Sequence, residues 1–289
     1  MKKTHFKTFT TILILILTLL CSQQFTSLYN KTNSNSNYLS VHFIDVGQGD
    51  CILINVNDYN LLIDSGPSNA RNDLLNYLDK LDIFKLDYVI ATHPHEDHIG
   101  NMDALIRKYH IGKFLAPKAT ASTITFENMV TALNDKNLKI SVISTGSNSI
   151  NLGTGTSITF YTLPNININD ELNLYSPIIK FTYKNISFLF TGDAELENEK
   201  FLTDNKINLK SDILKIGHHG SSSSTSEVFL NSVNPKVAII SVGSKNKYGH
   251  PAYSTLNLLK NHHIKIYRTD LLGSIIIKSD GSSFSISYQ

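Results

Sequence analysis

"YVIATHPHEDHIGNMDAL", residues 88–105, crowds His93, His95, Asp97 and His98 into six positions behind an apolar run. The run itself, "LDYVIAT", is short and continuous, the pattern of a strand buried on both faces. From Gly100 onward "GNMDALIRKYH" takes up a helical period. The cluster therefore sits on a loop between a strand end and a helix start. Alternate side chains of an extended segment point to the same side, so His93 and His95 can reach one ion. Asp97 and His98 are adjacent, and on a loop turning into a helix they can diverge to a second ion. Imidazole with carboxylate suits zinc, manganese or iron, and ligand softness alone does not choose among them. Incidental histidines on a polar loop are the ordinary alternative; four ligand-type residues in six positions weigh against it.

Two ions held by one loop need a shared anion from elsewhere. "ISFLFTGDAE" (186–195) delivers Asp193 at the end of an apolar strand, behind Thr191 and Gly192, where the backbone can approach closely. Taken alone, an Asp after a strand is an ordinary turn residue. "ILKIGHHGSSSS" (213–224) repeats the layout, a buried strand ending in His218 and His219. Strands that end in metal-type residues place them on one edge of the sheet, and three such ends make a site.

Working outward, the chain alternates strand-like and helix-like segments. "LSVHFIDV", "CILINV" and "YNLLIDSG" read as short strands joined by tight turns, and "ARNDLLNYLDKLDIF" carries Leu74, Leu75, Leu78 and Leu81 at helical spacing. "GKFLAP" and "TSITFYTLP" read as strands, "TITFENMVTALND" as a helix, and "NININDELNLYS" as a polar loop. "PIIKFTYKN" and "ISFLFTGDAE" form a β pair. After it come "SDILKIGHHG", "STSEVFLNSV", "KVAIISVG", "PAYSTLNLLKN" and "HIKIYRT" in β-α alternation, and then a terminal hairpin, "GSIIIKSDGSSFSISY". No repeat and no composition break divides residues 38–289, so one α/β domain with mixed sheets and outer helices is expected.

Residues 1–37 read differently. "MKKTHFKTF" is basic, "TILILILTLLC" is apolar and "SQQFTSLYNKTNSNSN" is polar, the order of an export signal or N-terminal anchor. The apolar run falls short of the ~20 residues of a comfortable spanning helix. Lipid attachment at Cys21, although "TLL" before it lacks small residues, stands level with a retained anchor as an alternative to the secretory signal. The segment holds four lysines and no acid, so setting it aside moves the formal charge from +2 to −2. A globally basic nucleic-acid surface is thus not indicated. Only Cys51 remains in residues 38–289, which excludes an internal disulfide there.

"THPHEDHIGNMDAL" resembles the H-x-H-x-D-H signature of metallo-β-lactamase-fold hydrolases. "FIDVGQGDCILI", "LLIDSG", "FLFTGDAE", "ILKIGHHGSSSS" and "VGSKNKYGHP" resemble one branch, the extracellular hydrolase domain of ComEC-type competence (DNA-uptake) proteins and their free-standing exported relatives. The resemblance spans essentially residues 40–289 and implies an αββα sandwich with a dinuclear metal site, zinc first and manganese as the alternative. The channel-forming segments of the transporter have no counterpart here, so only the hydrolase module carries over. By the resemblance, His93 and His95 match the first metal's ligands, Asp97 and His98 the second's, and Asp193 the bridge. Bacterial surface phosphorylcholine esterases are also similar, and on that likeness His219 is a ligand while His218 and Glu195 face the substrate phosphate.

One departure stands out. Many enzymes of this fold give the first metal a further His between the signature and the bridging Asp. The only His in that interval here is His110, at a helix end, where a surface cation suits the helix dipole. The first metal is then expected to be weakly held or completed by water. His250, on the Gly/Pro loop "NKYGHP", is a candidate for catalysis or substrate contact. His262 and His263 close a helix and take the bland reading. Ser221 to Ser224 can donate to a phosphate or simply cap a helix. "VGQGD" lacks a phosphate-loop pattern and reads as a turn, with Asp45 and Asp50 supporting it and the site. The expected chemistry is attack by a metal-activated water on a phosphoester, catalysed with Asp97, His218, Glu195 and His250, outside or on the surface of the cell, by a monomer. Its expected substrate is a small or surface-polymer phosphoester, with nucleic acid the further option, and its expected membrane contact is the N-terminal segment alone. Hydrolysis of other esters or lactones, and a non-catalytic metal-binding module, are the competing readings.

Overall fold

The central strands are apolar on both faces because each lies between two buried layers. A computed structural model describes residues 38–146, 150–167 and 171–289. The export-signal expectation, residues 1–37, lies outside the described residues. β1 (Leu39–Phe43), β2 (Ile52–Val56) and β3 (Tyr59–Ile63) form a meander, followed by α1 (Arg71–Lys80), β4 (Lys85–Ile90) and the one-turn α2 (Glu96–Ile99). Then come α3 (Met102–Lys108), β5 (His110–Ala116), α4 (Ile124–Asp135) and β6 (Ile140–Val142). The second half holds β7 (Thr156–Tyr161), β8 (Ile178–Tyr183), β9 (Ile186–Phe190), α5 (Leu196–Asp204), β10 (Ile213–Lys215) and α6 (Glu227–Val233). It continues with β11 (Val237–Ile240), α7 (Tyr253–Asn261), β12 (Lys265–Arg268), α8 (Thr269–Leu272), β13 (Ile275–Ser279) and β14 (Phe284–Tyr288).

Two mixed sheets result. One has the order β14-β13-β1-β2-β3-β4-β5-β6, the other β12-β11-β10-β9-β8-β7. The period of two along each strand sends alternate residues to opposite faces. In β2, Ile52, Ile54 and Val56 enter the core between the sheets, while Leu53 meets the helices. In β9, Phe188 and Phe190 point inward and Leu189 outward; in β11, Val237 and Ile239 point inward and Ala238 and Ile240 outward. Leu74 and Leu78 of α1, Leu105 and Ile106 of α3, and Met129 and Leu133 of α4 cover the first sheet. Leu202 of α5, Phe229, Leu230 and Val233 of α6 and Leu259 of α7 cover the second. Helices thus flank two stacked sheets, the αββα arrangement, and Tyr38–Gln289 is one compact unit.

β3 to β6 run parallel, as do β9 to β12. Their carboxyl ends carry the residues the sequence singled out, the usual place for a site in parallel α/β structure. These ends belong to two facing sheets, which corrects the expectation of a single sheet edge. Three elements escaped the sequence reading. β6 is short and largely exposed, so it shows no buried pattern, and α8 is a single turn. α5 buries Asn198 and Glu199 beside Leu202 and so lacks an apolar stripe. The described part of "NININDELNLYS" is also more than a loop, since Leu172–Tyr175 forms a 3-10 turn.

Candidate metal centre

β4 ends at Ile90, and the chain bends at His93 and Pro94 before His95, which lies at φ −79 and ψ 150. His93 and His95 fall on this stretch, with His93 Nε2 2.8 Å from His95 Nδ1. Asp97 and His98 lie on the helical turn α2 rather than on the expected loop. The first half of the signature thus bends rather than running extended as expected, and the second half is helical. Gly49, in the β1–β2 turn, lets that turn press on α2: a Cβ there would run into the Asp97 carbonyl.

Asp193 follows β9 and is 2% exposed. Its Oδ1 lies 3.2 Å from His98 Nε2, and its Oδ2 lies 3.6 Å from His219 Nε2 and 4.0 Å from His93 Nε2. His219 Nε2 is 3.2 Å from Asp97 Oδ2. Asp97, His98, Asp193 and His219 each offer a ligand atom within 4.8 Å of the others. His93 therefore approaches the same carboxylate as His98 and His219, and His95 lies against His93, so Asp193 is near candidate ligands of both ions.

His218 and His219 follow β10 in left-handed backbone, at φ 46 and 52. Non-glycine residues seldom adopt this conformation, and it turns the two rings apart. His219 is buried, with Nδ1 2.9 Å from the Ser241 carbonyl oxygen, which leaves Nε2 for the cluster. His218 is partly exposed, and its Nδ1 lies 3.0 Å from Glu195 Oε1. Glu195 Oε1 also accepts from Asn173 Nδ2 at 3.1 Å and Ser223 Oγ at 3.0 Å. His250 packs edge-on to His218 with ring centroids 5.5 Å apart. Both histidines line an open cleft of about 620 Å³ with His95, Asp97, Asp193, His219, Lys247 and Tyr248.

Several contributors had not been singled out as site residues. Asp64, at the end of β3, holds His98 Nδ1 at 2.8 Å and accepts from Thr92 N and Thr92 Oγ1. Buried Lys215 pairs with Asp50 Oδ2 at 2.5 Å and donates to the Gly192 carbonyl, next to Asp193. Ser176 Oγ meets His93 Nδ1 at 3.2 Å and accepts from Asp193 N at 3.3 Å. Asp64 had a local signal, an acid directly after a buried strand; Lys215 and Ser176 had none. Ser221 to Ser224 mostly bond within their own turn, as Ser224 Oγ does to the Gly217 carbonyl. His110 opens β5 exposed to solvent, and His262 caps α7 near Glu227. Asp45 accepts from Gly47 N within the turn.

The electrostatics favour a cation. Burial alone would lower the His98 pKa, but Asp193, Asp64 and Asp97 together hold it well above the ordinary range. Burial likewise opposes ionisation of Asp193, yet His98 and His219 outweigh it and keep the carboxyl well below its usual range. His93 is pushed well down by burial and then by His98, which keeps it in the neutral form a metal needs. His98 Nε2 and Asp193 Oδ1 are wholly buried and make no hydrogen bond, despite facing each other. Orphaned buried donors and acceptors are rare and costly. A divalent ion between them satisfies both, so the residues fit the metal. The contacts of His98 to Asp64 and of His219 to Ser241 fix each ring with Nε2 forward, as outer partners of metal-binding histidines commonly do.

The family described as "Metallo-beta-lactamase superfamily" matches residues 44–244. "ComE operon protein 3" of Bacillus subtilis (strain 168) is 31% identical over 254 residues, 81% of this chain and 32% of the relative. "Competence protein ComA" of Neisseria gonorrhoeae is 29% identical over 241 residues, 83% of this chain and 32% of that protein. The chain therefore spans about a third of the length of these curated relatives. The crystal structure of the metallo-beta-lactamase fold protein YhfI from Bacillus subtilis superposes with a TM-score of 0.54 at 12% identity, over 86% of this chain and 100% of that one. That last likeness is one of fold.

Proposed function

The chain belongs to the metallo-beta-lactamase superfamily of metal-dependent hydrolases, and from that premise we propose that it hydrolyses phosphodiesters outside the cell membrane. One observation carries the reading: Asp97, His98, Asp193 and His219 converge in an open cleft beside His93 and His95, with buried ligand atoms left unsatisfied. His93, His95 and Asp193 would hold one ion, and Asp97, His98, Asp193 and His219 a second. Divalent ions in such a site lower the pKa of water and neutralise charge on the attacked centre and leaving oxygen.

The chain's own groups supply the rest. Glu195, itself held by Asn173 and Ser223, fixes the His218 ring and keeps its Nε2 toward the cleft. His218 then donates to an anionic phosphate oxygen or protonates the departing alcohol. His250 stands behind it, and Lys247 adds a cation at the cleft wall. Lys247 and the divalent ions the carboxylates would hold suit an anionic centre better than a neutral ester. The likeness to a competence protein, and with it the resemblance to DNA-uptake proteins, supports the phosphodiester as the linkage. The −2 balance of residues 38–289 favours short or surface-polymer phosphodiesters over long duplex DNA.

The test is a hydrolysis panel of bis(p-nitrophenyl) phosphate, single-stranded DNA, a phosphorylcholine ester and a lactone, run with metal analysis. The expected result is turnover of the phosphodiesters, abolished by chelator and restored by zinc or manganese. Turnover of the lactone alone overturns the substrate class. A chain that takes up no divalent ion overturns the metal reading. Residues 1–37, with their basic and then apolar order, supply the export part of the proposal. Fused to an enzyme active only outside the membrane, they should give activity there; activity confined to the cytoplasm refutes it.

A further inference from the structure

The first metal position has His93, His95 and Asp193 but no third imidazole. Among the described residues, His110 is exposed at the start of β5, and His218, with Nε2 3.7 Å from Asp193 Oδ2, stands 25% exposed at the cleft, where the proposed function turns it to the substrate. What fills the gap is the 3-10 turn Leu172–Tyr175. Its Asn173 side chain is buried at 8% exposure, and its Nδ2 donates to Glu195 Oε1 at 3.1 Å. Only the amide nitrogen can donate to a carboxylate, so Oδ1 must take the opposite side. That oxygen is wholly buried and has no hydrogen-bond partner.

Two contacts show where the turn sits. Three residues on, Ser176 touches His93 Nδ1 and accepts from Asp193 N, so the turn is seated on two residues of the first position. The Asn173 side chain itself approaches the ring of His95, the third. The turn is held there by Asn198 Nδ2 on the Leu174 carbonyl at 2.9 Å and by Ser176 N on the Asn173 carbonyl at 2.9 Å. An amide carbonyl oxygen is a good donor to a divalent cation.

We propose that Asn173, through Oδ1, is the protein ligand that completes the first metal position in place of a third histidine. The proposal rests on the dinuclear reading above and replaces the expectation that water alone completes this ion. The orphaned oxygen gains a partner, and the bond to Glu195 links the first ion's ligand to the His218 pair.

The test is calorimetric titration of chelator-stripped protein with zinc, with elemental analysis after gel filtration. Wild type should take up two ions. Asn173→Ala should weaken the first-position ion by about tenfold or more and leave the second unchanged. Asn173→His should tighten the first ion. Glu195→Ala, which breaks the amide's hydrogen bond but leaves its oxygen, should still bind two. Asn173→Ala with both affinities unchanged overturns the proposal, as does Glu195→Ala reproducing the loss, which would make Asn173 merely a support. Should Asn173→Ala fail to fold, Asn173→His decides, and an unchanged first-ion affinity there overturns the ligand role. A wild type that binds two ions while these variants fail sinks this proposal alone; a wild type that binds none sinks the metal reading beneath it.

Discussion

His218 and His219 are neighbours in the chain, yet their left-handed torsions send one ring to Glu195 and the other to Asp97 and Asp193. His219→Ala should lose an ion together with turnover. His218→Ala should keep its ions and lose turnover by about a hundred- to ten-thousand-fold, the range of a proton-transfer residue. Metal content and single-turnover rates measured in parallel separate the two, and the reverse pattern exchanges their roles. Far from the site, burial and then Lys278 lower the pKa of His42 from 6.5 to about 4. It sits between Tyr77 OH at 2.9 Å and Ser40 Oγ at 3.2 Å. The unfolded chain therefore binds more protons than the folded one between those two values. Stability is unaffected above 6.5, falls as pH drops below it, and is lower by about 3 kcal/mol once pH passes 4. His42→Gln should flatten this loss, read as the difference in melting temperature between neutral and acid pH in the two proteins.

At the scale of elements, the centre is held by strand ends tied to one another. Lys215 closes β10, yet its ammonium reaches Asp50 after the β1–β2 turn and the Gly192 carbonyl after β9. Both partners of the ion pair are at most 1% exposed, so removing one strands a buried charge. Lys215→Met should destabilise the protein by about 3–5 kcal/mol in urea unfolding. It should also weaken metal binding, because the loops carrying Asp193 and His219 lose a common anchor. Adding Asp50→Asn should recover part of the stability, since the stranded charge is then gone. A double variant no more stable than Lys215→Met would show that the pair contributes through packing alone.

Across the whole molecule, the two sheets meet over one apolar core, with Phe43 of the first against Phe190 of the second. The metal position lies where their carboxyl ends meet, with Asp97 and His98 from the first sheet's side and Asp193 and His219 from the second's. An ion held there would tie the two halves of the fold together. It should stabilise the folded state by about 2.7 kcal/mol at a hundredfold excess over its dissociation constant. For a domain of this size that is roughly 5–10 °C in melting temperature. Scanning calorimetry with and without chelator checks it; identical melting curves would mean that the two sides do not share an ion.

The sequence by itself determined what is local. Period-two apolar runs identified most of the strands, and helical spacing identified the principal covering helices. Crowding of His93, His95, Asp97 and His98 after a buried strand identified the chemistry. These patterns span a few residues, and backbone geometry repeats over that distance. The tertiary structure decided what depends on packing between distant segments. His219 meets Asp97 across 122 residues, and Ser176 meets His93 across 83. Asn173 and Lys215 sit in segments whose own patterns mark a polar loop and a buried strand. Helix α5 was hidden because its inward residues include Asn198 and Glu199, whose partners lie on other segments. A buried polar side chain carries no local signal of its role, because its role is the partner that the fold brings to it.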